Sequence, residues 1–240
     1  MLVVGFDTAT PAVSVALHDG ERVVSEAFAV DARRHGELLT PMIAKVMADA
    51  GVSRGDLGGV AVGVGPGPYT GLRVGVVTAR VLGAVLGLPV YGVCSLDVIA
   101  CAASAAAGTE FLVATDARRQ EVYWARYDAV GRRLEGPAVG RAGSVPGAGQ
   151  LPVAGTGGPL YPEAFGSLIA PAYPDARTLC EIVAGQIVAG QLGTGQLGTG
   201  QIVAGQSPGR AWPALLPAEP LYLRRPDARE PGPPKRVTPR

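Results

Sequence analysis

Three short apolar runs open the chain, at residues 2–6, 13–17 and 22–28, each rich in β-branched residues and set off by polar turns. Asp19-Gly20 joins the second run to the third, and glycine tolerates the positive φ of a tight hairpin. Thr8-Ala9-Thr10-Pro11 separates the first two, so the pattern predicts three antiparallel strands. Over residues 36–50 the period changes. Leu38, Leu39, Met42, Ile43, Val46, Met47 and Ala50 recur at helical spacing, with Pro41 in the first turns and Gly51 as the stop. A strand at 60–64, a helix over 69–86 stopped by Gly87-Leu88-Pro89, a strand at 90–93 and a helix over 96–107 complete the order βββαβα. The order then restarts. Strands are predicted at 111–115, 121–127 and 134–139, and a short one at 151–154 before Gly155-Thr156-Gly157-Gly158, with a helix over 175–184. Two halves of like order predict a duplicated α/β unit whose second copy is incomplete.

The first two helices carry more apolar surface than a core-facing stripe requires. Stepping roughly 100° per residue along the second, Leu72, Val76, Val77, Val81, Leu82, Val85 and Leu86 surround the cylinder, with Arg73 and Arg80 on one side. A stripe of roughly 100° suffices for a helix packed on one core. The surplus predicts a protein partner, with Leu38, Leu39, Met42, Val46, Leu72, Arg73, Val76 and Arg80 as its contacts; burial within a single chain is the alternative.

Residues 182–206 are five pentapeptides, IVAGQ, IVAGQ, LGTGQ, LGTGQ and IVAGQ. A period of five matches neither helix nor strand. The array is read as an expanded surface insertion; a frayed extension of the preceding helix or a binding repeat are the alternatives. The expected organisation is an N-terminal lobe over 1–107, a C-terminal lobe over 108–226 that contains the array, and a Pro- and Arg-rich disordered tail over 227–240.

Composition narrows the classes. A hydrophobic share of 48% supports a sizeable core, and a formal net charge of +1 provides no general field for nucleic acid or anionic membranes. Three cysteines without a C-x-x-C spacing fit a reduced cytosolic setting. The N-terminal run lacks a basic start and carries Asp7, unlike a signal peptide. The apolar stretch 74–93 contains Arg80 and Pro89 and reads as a buried helix and strand, not a membrane span.

The stretch from Gly63 to Gly75, G-V-G-P-G-P-Y-T-G-L-R-V-G, looks like a phosphate loop but fails the test. The dinucleotide fingerprint places glycines at i, i+2 and i+5; Pro68 and Thr70 stand at i+5. No lysine supplies a P-loop, and Pro66 and Pro68 remove two N–H donors. Gly65, Pro66, Gly67, Tyr69, Thr70 and Gly71 are therefore expected to shape the start of a helix. Only His18 and His35 are present, too far apart for a helical metal pair, so neither a metal site nor a catalytic group is expected. Asp7 after the first strand, with Gly155, Gly157 and Gly158, is a candidate remnant of a nucleotide site. A purely structural turn is the alternative.

At Gly65-Pro66-Gly67-Pro68-Tyr69-Thr70-Gly71-Leu72-Arg73-Val74-Gly75 the chain resembles the G-P-G-S-F-T-G-L-R-x-G signature of the TsaB family, with Pro68 and Tyr69 in place of Ser and Phe. Asp7-Thr8-Ala9-Thr10, His35 with Leu38-Leu39, Asp116-Ala117-Arg118 with Glu121-Val122-Tyr123-Trp124, and Glu219-Pro220-Leu221-Tyr222-Leu223-Arg224 agree in order. The resemblance implies a two-lobed actin-like ATPase and sugar-kinase type, ribonuclease-H-like fold. It implies a non-catalytic subunit of the machinery that makes threonylcarbamoyladenosine beside the tRNA anticodon. Such a subunit holds a metal-binding transferase paralogue through two helices, which map onto the two over-apolar helices here. A small P-loop ATPase joins them, ATP and the metal belong to the partner subunits, tRNA is met indirectly, and the setting is cytoplasmic. Whether the free chain pairs with itself stays open. Two other functions also stay open: an ATP-dependent small-molecule kinase gripping ATP with Asp7 and the Gly155 turn, and a peptidase relying on His35.

Overall fold

The computed structural model describes residues 1–188, 206–207 and 210–224. Strand β1 (Leu2–Asp7) and β2 (Ala12–His18) are apolar on both faces because both faces are covered. β3 (Val23–Val30) alternates between half-buried and exposed, as a strand at a sheet edge does. β1 pairs antiparallel with β2 and parallel with β4 (Leu57–Gly63); β5 (Val90–Val93) adds parallel to β4, giving the order β3-β2-β1-β4-β5.

Helices α1 (His35–Asp49) and α2 (Tyr69–Leu86) cover one face of this sheet, where Leu39, Val46, Leu72 and Val76 meet Phe6, Val13 and Val60. Helix α3 (Ser95–Ala107) lies between this sheet and a second one. The second sheet has the order β8-β7-β6-β9, with β6 (Phe111–Asp116), β7 (Glu121–Tyr127), β8 (Arg133–Arg141) and β9 (Val153–Ala154). A single turn, α4 (Gly157–Leu160), follows β9. This two-sheet arrangement is the duplicated α/β unit with an incomplete second copy that the element order predicts. The strands and helices fall within a few residues of the predicted runs.

Helix α5 (Ala176–Val188) returns to the first sheet and packs on its other face. It runs beyond the predicted end at 184 and includes the first pentapeptide. Ile182, Val183, Ala184 and Gln186 are buried, so this unit belongs to the core and not to a surface insertion. Gln186 donates its amide to the Pro213 carbonyl at 2.5 Å. Gly185 receives the Trp212 indole, since a Cβ there would stand 2.8 Å from the ring. Most of the remaining array and the tail over 227–240 lie outside the described residues.

The last described segment ties the lobes together. Leu216 exchanges backbone hydrogen bonds with Gly92 at 2.8 and 2.9 Å, and the Leu221 N–H donates to Val64 at 2.8 Å. Residues 216–224 therefore run beside the start of α2.

Candidate functional site

The glycine-rich loop solves a packing problem. Gly65 has φ +92°, a conformation open to glycine. A Cβ on Gly67 would stand 2.0 Å from the Ala9 carbonyl, and one on Gly71 2.5 Å from the Thr8 carbonyl. A Cβ on Gly75 would lie 2.5 Å from the Thr8 hydroxyl. These residues let α2 touch the β1–β2 turn directly. Thr8 then enters the helix: its hydroxyl donates to the Gly71 carbonyl at 2.7 Å and accepts the Gly75 N–H at 3.0 Å. Those two groups are the i and i+4 members that an α-helix pairs with each other.

Asp7 holds the other side of the same turn. Its carboxylate accepts the Ala9 N–H at 2.7 Å and the Ser95 hydroxyl at 2.5 Å, while Ser95 Oγ accepts the Gly65 N–H at 3.2 Å. Burial pushes the Asp7 carboxyl above the ordinary carboxylate range, and the Ser95 hydrogen bond offsets part of that rise. His35, the first residue of α1, is buried with Nε2 2.7 Å from the Thr10 carbonyl. One four-residue turn thus anchors both helices. Thr8 and Ser95 carry much of this network, and nothing local in the sequence marks them.

The second candidate site is filled. Gly155 has φ +91°, and a Cβ there would stand 2.2 Å from the Ala114 carbonyl; one on Gly157 would lie 2.7 Å from Ala114 Cβ, and one on Gly158 2.5 Å from Leu168. These glycines allow close packing against β6 and Leu168. Between the lobes, Thr10, Pro11, Pro68, Thr115, Asp116 and Thr156 line a space of about 10 Å³, whereas small-molecule pockets run to roughly 300–1,000 Å³. Asp7 faces Ser95 instead of this space, and its bonds are those of a structural turn.

Helix α2 presents two different sides. Leu72 and Val76 are 0% and 1% exposed, as are Val46 and Leu39 of α1, so these four predicted contacts are packed in the core of the chain itself, Val76 at the floor of the groove described below. Leu38 and Met42 are half-buried against the same core. The outward side instead carries Val77, Val81 and Val85, exposed by 57%, 54% and 75%, beside exposed Arg73 and Arg80. Helix α2 has the length and composition of a membrane span, but its Gly71, Gly75 and Gly83 side is packed against the chain itself.

The 216–224 segment builds a wall along this exposed side. The Arg73 guanidinium lies 5.4 and 5.7 Å from the ring centroids of Tyr69 and Tyr222, and its Nε donates to the Tyr222 hydroxyl at 2.7 Å. The Tyr69 hydroxyl donates to the Arg224 carbonyl at 2.5 Å, and the Arg224 guanidinium pairs with Glu121 of β7. Between wall and helix runs a groove of about 450 Å³ lined by Val77, Val81, Ala84, Pro220 and both arginines. A wider groove of about 660 Å³ lies on the far face between β3 and α5, crossed by the Arg177–Glu26 ion pair at 2.6 Å.

Reactive groups are engaged elsewhere. His18 Nδ1 accepts the Gly20 N–H at 3.0 Å, and burial pushes the Cys94 thiol up to about 12. Among the described residues no group of three or more His, Cys, Asp or Glu is placed to hold a metal ion.

Comparison with known proteins agrees with this geometry. The family model for tRNA N6-adenosine threonylcarbamoyltransferase (TsaD) matches residues 23–155. An uncharacterized protein of Mycobacterium tuberculosis is 42% identical over 95% of this chain and 93% of its own. The tRNA threonylcarbamoyladenosine biosynthesis protein TsaB of Escherichia coli is 40% identical over 53% of this chain and 55% of its own. The solved structure of YeaZ from Pseudomonas aeruginosa superposes with a TM-score of 0.70 at 28% identity, over 92% of this chain and 99% of that one. With the loop signature, the two-lobed fold and these relatives in agreement, the chain belongs to the TsaB family, related to the TsaD transferases.

Proposed function

We propose that this chain is a non-catalytic scaffold subunit of the assembly that makes threonylcarbamoyladenosine on tRNA, and that it docks the TsaD-like transferase on the outward side of α2. The observation that carries this reading is the valine stripe Val77, Val81 and Val85, a contiguous exposed apolar patch along one side of α2 of the kind that marks an interaction surface. The name of the E. coli relative and the TsaD match support the choice of pathway and of a paralogous partner. In this reading ATP and the metal are held by the transferase and a small P-loop ATPase, tRNA is met through them, and the complex works in the cytoplasm.

The competing functions fit the geometry less well. A kinase needs Asp7 and the Gly155 turn to grip ATP, but Asp7 is committed to Ser95 and Ala9. A peptidase built on His35 needs a ring that is not already bonded to the Thr10 carbonyl.

The test is co-purification of the chain with its TsaD-like paralogue, wild type against Val77→Glu. Val76→Glu would place a carboxylate in the core and report on folding alone. The expected result is loss of the complex with the unfolding temperature unchanged. Unaltered complex formation by Val77→Glu would overturn the proposal.

A further inference from the structure

We infer that two copies of this chain pair antiparallel along β3, joining their five-stranded sheets into one continuous sheet. A sheet edge presents unpaired N–H and C=O groups, and proteins cover or break such edges. This fold does so at three of the four edges of its two main sheets. β5 exchanges two backbone hydrogen bonds with Leu216 through Gly92. At β9 the Val153 N–H donates to the Ser167 carbonyl and its carbonyl accepts the Ile169 N–H, both at 2.9 Å. β8 contains Pro137, which has no N–H to give. Among the described residues only β3 is bare. Its sequence, VVSEAFAV, has neither Lys nor Pro, and Phe28 and Val30 are exposed by 57% and 52%. A bulge leaves Val24 without a partner on β2 and bends the start of the strand, so the usable edge is residues 25–30. With no second bare edge for head-to-tail addition, self-association here closes as a two-fold pair.

The side chains select one register. With Ala27 opposite its own copy, Ser25 meets Ala29, Val24 meets Val30, and Glu21 beyond one end of β3 meets Arg33 beyond the other. Glu21 and Arg33 are both exposed. Glu26 falls opposite Phe28, and its charge is already balanced by Arg177 at 2.6 Å. Sliding the copies by two residues in one direction sets Glu26 against Glu26 and Glu21 against Asp31; in the other direction it sets Arg22 against Arg34. Like charges directly opposite are destabilising, and a slip of one residue turns every side chain to the wrong face. Helix α1 packs on β2 and β3, whereas α2 packs on β4, β1 and β5. The pairing is therefore independent of the docking reading and leaves the outward side of α2 free.

The experiment is sedimentation equilibrium of the full chain in the Val77→Glu background, so that α2 contributes nothing. A reversible dimer is expected. Phe28→Glu faces Glu26 of the other copy and is expected to weaken that dimer about tenfold or more with the unfolding temperature unchanged. Arg33→Glu is expected to weaken it by a smaller factor, and Glu21→Arg/Arg33→Glu to recover it. Ala27→Cys, with its Cβ about 5 Å from its own copy, is expected to give a disulfide-linked dimer under mild oxidation, and Val24→Cys is not. The native cysteines are buried and do not compete. A chain that stays monomeric would overturn the inference and leave the bare edge to a strand of another protein. A dimer indifferent to Phe28→Glu, equal cross-linking by Ala27→Cys and Val24→Cys, or no recovery in the double charge reversal would overturn it as well.

Discussion

Replacing Thr8 by Val tests how α2 is fixed to the sheet. The side chain is 1% exposed and Val has nearly its shape, so the change opens no cavity. It removes a hydroxyl that donates to Gly71 at 2.7 Å and accepts from Gly75 at 3.0 Å. Each such bond contributes about 1 kcal/mol, and a buried group left unpaired costs about 1–3 kcal/mol. The Gly71 carbonyl and Gly75 N–H lie one turn apart and partly satisfy each other once the hydroxyl is gone, which lowers the total. The expected loss is about 2 kcal/mol, a fall in Tm of roughly 4–8 °C for a chain of this size. Urea and thermal unfolding followed by circular dichroism measure it, and the exchange rate of the Gly75 amide locates it. Thr8→Ser keeps the hydroxyl and is expected to leave Gly75 exchange as in wild type. A loss under about 0.5 kcal/mol in Thr8→Val, with Gly75 exchange unchanged, would refute the claim that this hydroxyl anchors the helix.

Two further perturbations read other parts of the fold. Gly185→Val puts branched carbons where even a single Cβ would stand 2.8 Å from Trp212, so a red shift in tryptophan emission and a loss of about 1–3 kcal/mol are expected; unshifted emission would contradict the packing. For Asp7→Asn the variable is pH. Burial raises the carboxyl above its ordinary 3.8, so the folded chain binds that proton more tightly than the unfolded one. The stabilising contribution is complete below the ordinary value and is lost as pH rises through the raised one. Urea midpoints measured from about pH 4 to about pH 7 should therefore shift steadily in favour of the Asp7→Asn variant over wild type, and a gap independent of pH would show that Asp7 titrates normally.

The limits of α2 were legible because Pro68 and Gly87-Leu88-Pro89 punctuate it, and its surplus of apolar surface was legible from the helical wheel. Which side faces the sheet was misread, because Leu72 and Val76 look no more buried than Val77 and Val81. The discriminating signal was present. Gly71, Gly75, Ala79 and Gly83 recur every fourth residue, and all are buried, since a helix can approach a sheet this closely only along a side without large side chains. At α5, the five-residue repeat hid a helical face that Leu179, Cys180, Ile182 and Val183 share. The Arg73–Tyr222 contact spans 149 residues of chain, and no local pattern encodes such a pairing.

The valine stripe cannot hold a partner alone. Fully burying a Val side chain contributes about 1.5 kcal/mol at the low end, and with Val77 and Val81 a little over half exposed and Val85 three-quarters exposed, the three have about 3 kcal/mol together left to gain. A micromolar complex needs about 8 kcal/mol net, after about 4 kcal/mol or more of lost translational and rotational freedom. The remainder has to come from surfaces that are already rigid, so that docking orders little else. Helix α2 meets this condition. Its glycines are pressed onto the β1–β2 turn, Thr8 is bonded into its second turn, and Tyr222 fixes Arg73 at its rim. Pressed against the β1–β2 turn beside a space of only about 10 Å³, the glycine-rich loop sets one helix at one angle, which is the rigidity that the proposed docking requires.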